Sequence, residues 1–88
     1  MEFEYDPEKS ARNRAKHGID FEEAQALWLD EWLLEVSART VDEPRYLAIG
    51  TLGGKHWTAV FTRRNGRIRL MSVRCSREQE VRHYEDVI

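Results

Sequence analysis

The chain has 88 residues, of which 41% are hydrophobic and 34% charged, and a formal net charge of −2; this suits one small globular domain and excludes a disordered chain. Its single cysteine, Cys75, excludes an internal disulfide and a cysteine-built zinc site, and no run approaches the ~20 apolar residues of a membrane helix. The opening MEFEYDPEKS is charged and lacks the apolar stretch of a signal peptide, so one cytoplasmic domain over residues 1–88 is expected.

In chain order, Phe3 and Tyr5 predict a short first strand. Asp6 followed by Pro7 is a helix start, because Asp can cap and Pro fits the first helical position without strain. That helix should end at Gly18, suited to a left-handed residue, with Lys16 and His17 complementing the negative end of its dipole. Asp20 and Glu23 form a capping-box pair for a second helix. Ile19 and Ala24 are placed to staple it, and Phe21, Ala24, Leu27 and Trp28 share its buried face as far as Asp30.

The pattern then changes to strands. WLLEV (32–36) is one, ARTVDEPR (38–45) is a loop, and RYLAIGTL (45–52) is a second. Gly53–Gly54 turns the chain into KHWTAVFTR (55–63), and Asn65–Gly66, the strongest short hairpin signal, turns it again into RIRLMSV (67–73). Ser76 with Gln79 predicts a second capping box and a final helix through Tyr84 or beyond. The order β-α-α-β-β-β-β-α predicts an α+β fold, with helices packed on one face of an antiparallel sheet and a C-terminal helix.

A two-residue turn at Asn65–Gly66 sets a register. Arg64 should face Arg67, Arg63 Ile68, Thr62 Arg69, Phe61 Leu70, Val60 Met71, Ala59 Ser72, and Trp57 Arg74. Trp57, Ala59, Phe61, Ile68 and Leu70 then form the core side. Thr58, Val60, Thr62, Arg64, Arg67, Arg69, Met71 and Val73 form the other. Arg64 and Arg67 repel across the turn, which an anion lying over them would relieve. Arg74 falls on the core side at the strand end, next to the anion-friendly start of the last helix, where it either holds phosphate or pairs with Glu78 or Glu80.

Charge is split along the chain: residues 20–43 hold eight acids and one base, net −7, whereas residues 44–88 net +5. The split suggests a basic working surface opposite an acidic region. On the final helix Glu80 and Tyr84 are four apart, a carboxylate and a phenol placed for proton transfer or for packing. His17, His56 and His83 lack metal-ligand spacing.

Two blocks carry a family resemblance. YDPEKSARNRAKHGIDFEEA (5–24) and GRIRLMSVRCSREQEVRHY (66–84) resemble the N- and C-terminal signatures of BrnT-type toxins. The resemblance implies a RelE-like fold and a ribonuclease toxin of a type II toxin–antitoxin pair that stops translation. It also implies neutralisation by BrnA, a ribbon-helix-helix antitoxin, in a hetero-oligomer. The matching functional positions are Arg69, Ser72, Arg74, Glu80 and Tyr84, with Lys16 and His17 from the first block. RNA supplies its own nucleophile, the 2′-hydroxyl, so neither a metal nor a cofactor is expected. Arg69 and Arg74 are expected to clamp phosphate, with Glu80 or Tyr84 moving protons and His17 or His83 in reserve. Arg64, Arg67, Ser72, Lys16 and His17 are expected to bind substrate. The rival readings are a non-catalytic RNA- or ribosome-binding module and a plain interaction subunit.

Overall fold

The computed structural model describes residues 1–38 and 43–87; residues 39–42 of the predicted ARTVDEPR loop lie outside them. Each helix begins where its cap dictates. Asp6, extended at φ −81 and ψ 119, accepts the Glu8 N–H and opens α1 (Pro7–His17), which Gly18 closes at φ 81. Asp20 and Glu23 satisfy each other's backbone N–H groups at 2.7 and 3.1 Å and open α2 (Phe21–Ala24), which tightens into a 3₁₀ turn at Gln25–Leu29.

The strands are β1 (Phe3–Glu4), β2 (Leu34–Ala38), β3 (Arg45–Leu52), β4 (Lys55–Arg64) and β5 (Arg67–Cys75), in the spatial order β1-β5-β4-β3-β2. Both predicted two-residue turns are present. Gly53, Gly54, Asn65 and Gly66 all have positive φ, from 50 to 80, the twist that matches paired strands. The sheet is mixed rather than wholly antiparallel, because β1 enters beside the last strand and runs parallel to it, Phe3 against Ile68 and Glu4 against Arg69.

The β4–β5 register follows expectation from Arg64–Arg67 to Phe61–Leu70 and then shifts by one residue. Val60 pairs with Ser72 rather than Met71, Ala59 with Val73 rather than Ser72, and Trp57 with Cys75 rather than Arg74, which pairs with Thr58. Met71 is the extra residue of a β-bulge. The reason lies in burial. A regular strand would turn Ser72 and Arg74 into the core and Val73 out of it. The bulge instead buries Val73 completely and moves Arg74 to the opposite face.

Asn13 of α1 holds the bulge. Its carboxamide oxygen accepts the Val73 N–H at 3.1 Å, and its nitrogen donates to the carbonyls of Val73 at 2.9 Å and Ile19 at 2.8 Å. β1 is too short to pair with this part of β5, so one buried side chain does a strand's work there.

The expected core face is correct for Trp57, Ala59, Phe61, Ile68 and Leu70, all buried, against Ile19, Phe21, Ala24 and Leu27. Trp28 lies edge-on between Phe3 and Phe61, with ring centres 5.2 and 5.4 Å away. The helices do not all lie on this face. α3 (Glu78–Val87) crosses the opposite one, reaching Thr58 and the β3 residues Leu47 and Ile49. Nor does the Ser76–Gln79 capping box form. The Glu80 carboxylate accepts the Arg77 N–H at 2.8 Å instead, and the Ser76 hydroxyl meets Thr58 at 2.8 Å.

Candidate functional site

The arginines near the Asn65–Gly66 turn are answered from within the chain. Arg67 reaches Glu2 at 3.1 Å and Arg69 reaches Glu4 at 2.9 Å, because β1 lies alongside β5. Arg64 stands 3.6 Å from Glu43, and Arg63 lies 2.6 Å from Glu35. Carboxylates thus relieve the Arg64–Arg67 repulsion, and the acidic and basic halves of the sequence partly neutralise each other.

Arg74 and Glu80 form a fork-to-fork pair, Nη1 to Oε1 at 2.8 Å and Nη2 to Oε2 at 2.9 Å, with side chains only 22% and 13% exposed. Glu80 also accepts the Thr58 hydroxyl at 3.0 Å. Burial disfavours its charge, but the hydrogen bonds from Arg74, the Arg77 N–H and Thr58 outweigh that and hold its pKa at about 2. The bond to Glu80 raises the Arg74 pKa in turn, against the pull of burial. Glu80 is therefore a fixed anion at neutral pH.

Tyr84, 4% exposed, donates its hydroxyl to Asp30 Oδ2 at 2.6 Å. The same oxygen accepts the Thr51 N–H at 2.9 Å and its hydroxyl at 3.2 Å, while Oδ1 accepts the Trp32 N–H at 2.9 Å. Burial raises the Tyr84 pKa, and the bond to Asp30 raises it further. Asp30 is lowered, its own burial being outweighed by the Tyr84, Thr51 and Trp32 bonds. α3 is thereby pinned twice, at its start by Arg74–Glu80 and one turn later by Tyr84–Asp30.

Between these pins and the sheet lies a cavity of about 640 Å³, lined by Val36, Ser37, Leu47, Ile49, Arg77, Gln79, Glu80 and His83. Its floor is apolar and its rim carries Arg77, which makes no ion pair among the described residues. A second cavity of about 370 Å³ runs along the bulged edge of β5, lined by Lys9, Arg12, Asn13, Lys16, His17, Met71 and Ser72. It unites the expected Lys16, His17 and Ser72. Arg64, Arg67 and Arg69 line neither cavity, and Tyr84 lies behind the first, bonded to Asp30.

Sequence reasoning missed Lys9, Arg12 and Asp30, and it placed Arg77 on one helix face with Glu80 and Tyr84 without giving it a role. A signal for the lysines existed, since Lys9, Arg12 and Lys16 recur at helical spacing. Trp32 is the local partner of Asp30, but its role in holding α3 is not marked locally, because Thr51 and Tyr84 lie 21 and 54 residues away. Among the described residues no three His, Cys, Asp or Glu side chains are grouped to hold a metal, and no helix is long and apolar enough to cross a membrane.

A family model described as "Ribonuclease toxin, BrnT, of type II toxin-antitoxin system" matches residues 5–80, from the residue after β1 to Glu80 in α3. No curated protein matches the chain.

Proposed function

Because the chain belongs to the BrnT family of ribonuclease toxins of type II toxin–antitoxin systems, we propose that it is a metal-independent endoribonuclease that cuts RNA on the open sheet face beneath α3. The observation that carries this reading is the cavity there, which joins His83, Glu80 and Arg77, the last without an ion pair among the described residues, over an apolar floor. Val36, Leu47 and Ile49 offer a surface on which a splayed base can lie. The RNA 2′-hydroxyl attacks the neighbouring phosphorus, and the bond to the 5′ oxygen breaks. The products are a 2′,3′-cyclic phosphate and a 5′-hydroxyl.

His83 takes the 2′-hydroxyl proton, and solvent protonates the departing oxygen. Arg77 offsets the charge that grows on the phosphate oxygens. Arg74, Glu80 and Tyr84 act by position in this scheme: they fix α3, and α3 presents Arg77 and His83. Arg69, Arg64 and Arg67 sit in ion pairs for which an incoming phosphate backbone competes, and the exposed ones are held weakly.

The antitoxin is taken to be a BrnA-like ribbon-helix-helix protein, and the consequence of cleavage to be arrest of translation in the cytoplasm. The family's place in type II toxin–antitoxin systems supports a protein inhibitor. The test is incubation of purified protein with RNA in excess chelator, with and without the product of the neighbouring short reading frame, followed by mapping of the ends. Cyclic-phosphate ends that vanish when the partner is added are expected. Intact RNA, or cleavage only on metal addition, contradicts the scheme.

A further inference from the structure

We propose that the edge groove between α1 and the bulge of β5 binds the phosphates of single-stranded RNA and leads the strand onto the open sheet face. The inference rests on the ribonuclease reading and extends it to the substrate's form.

Among the described residues, Arg14, Arg63, Arg64, Arg67, Arg69, Arg74 and Arg82 each lie within 4.0 Å of a carboxylate. Lys9 and Lys16 do not, and Arg12 approaches Glu8 only at 4.0 Å with both side chains exposed. Lys9 and Lys16, with the loosely paired Arg12, converge on one groove whose lining, Lys9, Arg12, Asn13, Lys16, His17, Met71 and Ser72, contains no carboxylate. Lys9 and Lys16 are two helical turns apart, about 10 Å along the axis, which matches about three stacked nucleotides at 3.4 Å each.

The register joins this groove to the cavity beneath α3. Ser72 pairs with Val60, Val60 with Leu47, and Leu47 with Val36, one row crossing four strands. Ser72 lines the groove, whereas Leu47 and Val36 line the cavity. Two strand spacings separate Ser72 from Leu47, again about 10 Å. The bulge makes this possible, because it is what sets Ser72 opposite Val60. A strand following the row covers about six nucleotides. Its bases must be unpaired to reach the apolar floor, since the deep groove of an RNA duplex hides them.

The test uses RNA oligonucleotides carrying 2′-O-methyl groups throughout, which bind but cannot be cut, against the full chain and a Lys9→Glu/Lys16→Glu variant. Both lysines are exposed, and circular dichroism checks that the variant folds. Wild-type affinity should rise with length to about six to eight nucleotides and then level off. The variant should bind a 12-mer at least tenfold more weakly, and its salt dependence should lose about 1.4 from the slope, about 0.7 per phosphate contact. A 12-base-pair duplex should bind at least tenfold more weakly than the single strand. Equal affinity or an unchanged slope in the variant overturns the groove. So does a variant that keeps RNA affinity but loses the antitoxin, since that outcome assigns the groove to the protein partner. Equal duplex binding overturns the single-strand assignment. The expected binding without any cleavage of unmodified RNA upholds the groove and sinks the ribonuclease reading instead.

Discussion

Glu80 joins three parts of the molecule: the end of β5 through Arg74, the middle of β4 through Thr58, and the start of its own helix through the Arg77 N–H. Its pKa is lowered from 4.5 to about 2, so it binds its proton less readily in the folded than in the unfolded chain. The stability that this carries is complete above pH 4.5 and drains away as pH falls toward 2. It is worth at most about 3 kcal/mol. Glu80→Gln should therefore be less stable at neutral pH and should lose the part of the acid transition between those limits that denaturant titrations across pH reveal. The sequence pointed to Glu80 as one possible partner for Arg74, because a strand end beside a helix start brings them close. It could not show that four donors converge on this carboxylate, since Thr58 sits 22 residues away.

At the scale of elements, the α1–β5 contact decides the geometry, and it was legible only near the turn. Asn65–Gly66 fixes the pairs closest to it, and these are as expected through Phe61–Leu70. Beyond them the clue was Leu70 and Val73, two apolar residues at an odd offset that a regular strand cannot place on one face. The bulge resolves that conflict, and Asn13 satisfies the backbone it leaves unpaired. Asn13→Ala strands the Val73 N–H and two carbonyls in the interior, so a loss of about 3 kcal/mol or more is expected in urea unfolding. Phe61→Ala, at a position fully buried against Trp28 and Tyr46, should cost ~3–5 kcal/mol by the same measurement. Asn13→Asp tests the hydrogen-bond account separately: it keeps the size and removes the donor, and should be about as damaging as alanine.

For the whole molecule, the split between an acidic and a basic half gave the wrong map of free charge. The +5 segment does not face outward as one bare patch, because Glu2, Glu4, Glu35 and Glu43 come from elsewhere in the chain to meet its arginines. Among the described residues, the cations without an ion pair include Arg77 over the α3 cavity and the two lysines of α1, the latter in a stretch whose net charge is zero. The α+β class, the two hairpins and the first two helix starts follow from local chemistry that a sequence displays. The side of the sheet that α3 takes does not, because it depends on a one-residue shift inside β5. The account's central claim is that α3 presents a cutting site over the open sheet. The most direct measurement is the single-turnover cleavage rate of an unmodified single-stranded RNA by wild type, Arg77→Ala and His83→Ala. Both variants should fold as the wild type does and cut ~100- to 10,000-fold more slowly, with the same cleavage positions. Folded variants that cut at the wild-type rate would contradict the claim and move the chemistry away from the α3 cavity.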